Sequence, residues 1–89
     1  MNREKMSYHV KVHVRLKKGV LDPQGTTVKQ ALQAMGYRGV SDVRIGKLIE
    51  IDLDGKSKTL IQKEVKEMSE KLLANPIIEE FYYEVEERK

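Results

Sequence analysis

Tyr8, Val10, Val12, Val14 and Leu16 alternate without a break with His9, Lys11, His13 and Arg15. A period of two puts the apolar set on one side of a pleated strand and the polar set on the other. The chain is thereby committed to a sheet with one covered face and one wet face, and other segments must supply the cover. With 89 residues, 39% of them hydrophobic, one phenylalanine and no tryptophan, it can build one sheet-and-helix core. A chain this short buries only about 60–65% of its unfolded surface, so it gains from association.

Lys17 to Gly25 reads as a loop, and Asp22-Pro23-Gln24-Gly25 as a type I turn with Asp first, Pro second and Gly fourth. Thr27 with Gln30 has capping-box spacing and opens a helix whose apolar stripe is Val28, Ala31, Leu32 and Met35. Gly36 ends it in the left-handed manner. Between Val40 and Asp54, Val43 and Ile45 alternate with Asp42 and Arg44, and Ile49, Ile51 and Leu53 alternate with Glu50 and Asp52. Two antiparallel strands turning near Gly46-Lys47 are expected, with one long bent strand as the competing reading. Asp54-Gly55-Lys56 is a turn, and Ser57 or Thr59 caps a second helix. Its packed face is Ile61, Val65, Met68 and Leu72, with Leu60 and Leu73 beside it. Asn75-Pro76 stops that helix, asparagine tolerating the left-handed conformation. A last strand sets Phe81, Tyr83 and Val85 against Tyr82, Glu84 and Glu86.

The order strand-helix-strand-strand-helix-strand predicts an α+β fold: a four-stranded antiparallel sheet with both helices on one face, the βαββαβ ferredoxin-like arrangement. Charge favours the strand order 4-1-3-2. The polar faces are acidic in the last strand, basic in the first (Lys11, Arg15), acidic in the third (Glu50, Asp52) and basic in the second (Arg44), so neighbours carry opposite signs. Residues 1–6 are expected to be a flexible N-terminal tail and residues 7–89 a single domain.

Several function classes fall away. Without cysteine there is no disulfide, thiol nucleophile or thiolate metal site. The net charge of +3 is modest, and the last eleven residues carry five glutamates. A nucleic-acid binder would concentrate a basic stripe. No run of about 18 apolar residues could span a membrane, and the polar amino terminus is no secretory signal. A reducing cytoplasm fits.

His9 and His13 lie about 14 Å apart on a strand at roughly 3.4 Å per residue, too far to share a metal ion; they suit an acidic surface. Gly46-Lys47 lacks the further glycines and following helix of a phosphate loop. Glu79, Glu80, Glu84, Glu86 and Glu87 lie along a terminal strand with no apolar pocket to raise a pKa. Ser7, Ser41, Ser57 and Ser69 lack a nucleophile-elbow context. No residue is a catalytic or metal-ligating candidate. The Leu21 to Gly25 turn is harder to set aside, because an apolar Val20-Leu21 pair before an exposed turn is unnecessary for chain reversal, and loops on a rigid scaffold are where contacts are placed.

Over Tyr8 to Glu87, three segments in order resemble the PurS family, the small subunits of formylglycinamidine ribonucleotide synthetase. They are Leu21-Asp22-Pro23-Gln24-Gly25; Val43-Arg44-Ile45-Gly46-Lys47 with Glu50; and Met68, Glu70-Lys71-Leu72-Leu73-Ala74-Asn75-Pro76 with Ile78-Glu79. The residues before Met6 and the basic pair Lys17-Lys18 depart from the family pattern without touching those segments. The resemblance implies a subunit, without catalytic residues of its own, of a purine-biosynthetic ligase. It would be a homodimer or dimer of dimers that joins the synthetase subunit PurL and the glutaminase subunit PurQ. The complex uses glutamine, ATP and magnesium; this chain would bind no cofactor. Partner contacts are expected at Leu21, Asp22, Pro23, Gln24, Gly25, Arg44 and Lys47.

Three other functions share the order of elements. An ACT-like regulatory domain would bind an amino acid at a dimer interface. An RNA-recognition domain would need aromatics where His9, Lys11, His13, Glu50 and Asp52 stand. A small acyl-phosphate hydrolase would need an arginine loop where Lys17-Lys18-Gly19 stands.

Overall fold

The computed structural model describes residues 6–88. The expected tail therefore lies outside the described residues, save Met6, which begins the first strand. The elements are β1 (Met6–Leu16), α1 (Pro23–Ala34), β2 (Gly46–Gly55), α2 (Lys58–Met68), a π-helical turn at Ser69–Leu73, and β3 (Glu79–Arg88).

The sheet has three strands, not the four expected, in the order β2-β1-β3 with both pairings antiparallel. The missing strand is the one assigned to Val43 and Ile45. Gly46 and Lys47 are not a hairpin turn: they pair with Arg15 and Val14 and are the first residues of β2. The segment before them has other partners for its polar groups. An Asp22 carboxylate oxygen accepts the Ile45 N–H at 2.7 Å, and the Asp42 carboxylate accepts the Val43 N–H at 2.9 Å. Backbone donors held by carboxylates are withdrawn from a ladder. The competing long bent strand fails for the same reason.

The valine strand is central. Tyr8, Val10, Val12 and Val14 are buried and join Ile61, Val65 and Ala74 in the core. Ile49, Ile51 and Leu53 flank them from β2, and Phe81, Tyr83 and Val85 from β3. On the other face His9 lies between Asp52 and Glu86, and Lys11 between Glu50 and Glu84. The expected alternation of charge holds across these three strands, while the basic strand expected at Arg44 does not form.

Only α2 covers the valine face; α1 makes no comparable contact with the sheet. The expected pair of helices on one face is thus corrected as well. Ser57 caps α2 by accepting the Leu60 N–H at 3.2 Å. Ile61 and Val65 are buried, but Leu72 is 82% exposed. The π turn explains this: Ala74 N–H donates to the Ser69 carbonyl at 2.9 Å, five residues back. The wider turn rotates the seam so that Ser69 and Ala74 continue the buried face and Leu72 points out. Asn75 then reverses the chain without left-handed backbone, since among the described residues only Gly19 and Gly36 have positive φ. Its side-chain oxygen accepts the Ile77 N–H at 3.1 Å, and its carbonyl accepts the Glu79 N–H at 2.7 Å.

The first helix begins earlier than the Thr27 cap predicts. Asp22 is the N-cap, with Pro23 as the first helical residue, where its missing N–H costs nothing. The expected turn is the helix's opening turn, because a type I turn and one turn of helix share nearly the same backbone. At the other end Gly36, φ 101°, donates to Gln33, and Tyr37 donates to Leu32, the paired bonds of a Schellman stop.

Candidate partner-contact site

Asp22 is 5% exposed and joins two segments distant in sequence. One carboxylate oxygen accepts the Gly25 N–H at 2.9 Å and the other the Ile45 N–H at 2.7 Å. These bonds, then the nearby Arg44 charge, hold its pKa below the ordinary aspartate value. Gly25 is buried because the Val43 carbonyl passes directly over it; a Cβ there would overlap that oxygen. Arg44 closes the same junction from outside. Its Nη2 donates to the carbonyls of Lys17 at 3.1 Å, Val20 at 3.2 Å and Leu16 at 3.5 Å.

The expected site residues therefore divide. Asp22, Gly25 and Arg44 bind the β1–α1 loop to the stretch before β2. Leu21 stands out of this junction at 75% exposure. Pro23 and Gln24, with Thr27, Val28 and Ile45, line a shallow apolar hollow of about 540 Å³. The Lys47 side chain has no hydrogen bond or ion pair to another described residue. Together they surround one end of the sheet.

Sequence reasoning missed what lies beside them. Leu48, His13 and Tyr82 form one row across the wet face of all three strands. The His13 and Tyr82 rings stack at 4.3 Å, 9° from parallel, while His13 Nε2 meets Glu84 at 2.7 Å. Leu48 is 50% and Tyr82 58% exposed. This row, with Arg15, Arg44 and Lys47, lines a cleft of about 520 Å³. The signal was available: Leu48 and Tyr82 occupy positions where the alternation demands polar residues.

Further along that face His9 Nδ1 meets Asp52 at 2.5 Å and Nε2 meets Glu50 at 2.9 Å. The Asp52 bond, then the Glu50 bond, raises its pKa above 6.5. Glu86 is lowered, chiefly by the hydrogen bond from Arg88. Among the described residues no group of three His, Cys, Asp or Glu could hold a metal ion, and no helix is long and apolar enough to cross a membrane.

A helix with an uncovered apolar stripe, projecting from a sheet with two unpaired edges, defines a class: small α+β domains that present surfaces for association. The PurS family model, described as phosphoribosylformylglycinamidine (FGAM) synthase, matches residues 9–87, and the chain belongs to that family. The FGAM synthase subunit PurS of Bacillus subtilis is 56% identical over 80 residues, covering 90% of this chain and 94% of that one. The crystal structure of PurS from Methanocaldococcus jannaschii, a subunit of formylglycinamide ribonucleotide amidotransferase in the purine biosynthetic pathway, has a TM-score of 0.83 at 39% identity. It covers 92% of this chain and 99% of that one. A chain in the structure of PurLQS from Thermotoga maritima has a TM-score of 0.79 at 32% identity, covering 92% and 98%.

Proposed function

We propose that this chain is the assembly subunit of an FGAM synthase, holding a PurL-type synthetase and a PurQ-type glutaminase together in cytoplasmic purine biosynthesis. The observation that carries this reading is the likeness over nearly the whole chain to a protomer of PurLQS. ATP, magnesium and glutamine are used by the complex, with ammonia passing between the larger subunits, while this chain contributes surfaces. The exposed Leu21, Pro23, Gln24, Arg44 and Lys47 form the contact, and Asp22 and Gly25 hold that contact in shape.

The functional unit in this reading is a homodimer. The α1 stripe is left open, with Met35 70% and Val28 38% exposed and Tyr37 beyond it at 58%. The chain exposes 6897 Å², where a compact monomer of 10.3 kDa would expose about 5,400 Å². A second copy laid over α1 removes part of that excess, a standard interface taking about 800 Å² from each partner.

Reconstitution tests the reading. The cognate PurL and PurQ are supplied with glutamine, ATP, magnesium and formylglycinamide ribonucleotide, and amidine formation is followed with and without this chain. Strong dependence on the chain is expected. Equal turnover without it would sink the proposal, and saturable amino-acid binding by the chain alone would then favour an ACT-like regulator.

A further inference from the structure

We infer that the cleft at the open end of the wet sheet face seats an acidic segment of a partner subunit carrying an apolar or aromatic side chain beside its carboxylates. The inference rests on the assembly reading above and names the chemistry that the partner must bring. Three observations converge. The first is the row Leu48-His13-Tyr82, the one exposed apolar and aromatic strip on a face otherwise built of charge. Along this face the preceding rows are Glu50-Lys11-Glu84 and Asp52-His9-Glu86, whose acids would repel an acidic segment. The second is the local charge: Arg15, Arg44 and Lys47 line the same cleft, against the single acid Glu80. Glu80 is held by Arg15 at 2.8 Å, whereas Lys47 lines the cleft with no ion pair to another described residue. The third is Gly46, which stands opposite Arg15 in the next row and puts no side chain there, leaving the strip open toward the Asp22–Arg44 junction.

The strip runs across three strands, about 10 Å at roughly 4.8 Å per strand. That width accommodates one or two side chains of a crossing segment. A second copy of this chain is a poor occupant. A two-fold axis through the cleft would set Lys47 and Arg44 against themselves, and Glu50, Asp52, Glu80, Glu84 and Glu86 of the wet face already face His9, His13, Arg15 and Arg88. Opposite charge at such a rim governs encounter and register, and the buried apolar anchor sets the lifetime.

The test measures assembly of the full chain with its cognate PurL and PurQ by analytical ultracentrifugation across a salt series. It compares the wild type with Lys47→Glu, Leu48→Glu and, as a charge-matched control on the exposed face of α2, Lys63→Glu. Each cleft variant is expected to weaken assembly at low salt by about tenfold or more. Both should keep their own oligomeric state and circular dichroism, and the Lys63→Glu control should assemble as the wild type does. Normal assembly by both cleft variants overturns the inference while leaving the assembly reading intact. An equal loss in the Lys63→Glu control overturns it as a general charge effect. Loss of self-association in place of partner binding overturns it in favour of a second copy. A wild-type chain that does not enter the complex removes the assembly reading and the inference together.

Discussion

His9 is held by carboxylates on both ring nitrogens, Asp52 at one and Glu50 at the other. Ionised carboxylates only accept, so both nitrogens must carry protons and the ring is an imidazolium. Arg88 opposes that charge from β3, and Glu86 is the paired residue on the same strand. Because the folded pKa is raised above 6.5, the stabilisation is complete below the unfolded pKa and is lost as pH rises through the folded one. Urea midpoints of the wild type and His9→Gln should therefore differ most below pH 6.5 and converge at higher pH; a gap that widens with pH contradicts the assignment. Asp22 behaves in the opposite sense. Its pKa is lowered, so its contribution is present above the ordinary aspartate value and lost as pH falls through the folded one. The wild type should lose stability on acidification, and Asp22→Ala should be less stable at pH 7 with a flatter acid limb. Neither partnership was legible in the sequence, because Asp22 and Ile45, or His9 and Asp52, meet only after the chain has folded back.

Among the elements, α2 and its π turn show how local pattern and packing diverge. The i, i+4 spacing correctly placed Ile61 and Val65 inward, and Ile61→Ala should cost about 2–5 kcal/mol by opening a cavity under β1. The same spacing misplaced Leu72, because the chain widens by one residue at Ser69–Leu73, a change that the i, i+4 pattern does not carry. Ser69 lies one α-helical turn beyond Val65 on the same buried face, where its hydroxyl is fully buried and has no hydrogen-bond partner among the described residues. Ser69→Ala should raise stability by about 1 kcal/mol, read as a melting temperature higher by about 4–8 °C for a domain this size. A decrease would mean that the hydroxyl has a partner in solution. For α1 the start and stop residues are both present in the sequence, but the capping-box spacing points to Thr27 where Asp22 supplies the cap. Thr27 Oγ donates instead to the Pro23 carbonyl at 2.9 Å, a bond within the helix that leaves the opening turn to Asp22.

At the scale of the whole molecule the chain is long and thin, 58 × 28 × 14 Å. Its radius of gyration is 17.5 Å, where a compact domain of this length would have about 12 Å. The projecting α1 produces that shape and the dimer reading depends on it. Leu32→Asp, on the α1 stripe and outside the core cluster, should yield a monomer by sedimentation with β1 and α2 intact by circular dichroism; a variant that self-associates as the wild type does would move the interface elsewhere. The sequence by itself determined the first strand, its buried and wet faces, the acidic neighbours of that basic strand, and the family. These are carried by residues adjacent in the chain or by unbroken order along it. The tertiary structure alone decided that the stretch before β2 is tied down by Asp22 and Arg44 instead of adding a fourth strand, and that α1 stands clear of its own sheet. It also decided that Leu48, His13 and Tyr82 line one cleft. Each depends on which distant groups reach a hydrogen-bond donor or a strand edge first, and periodicity along a chain carries no information about that competition.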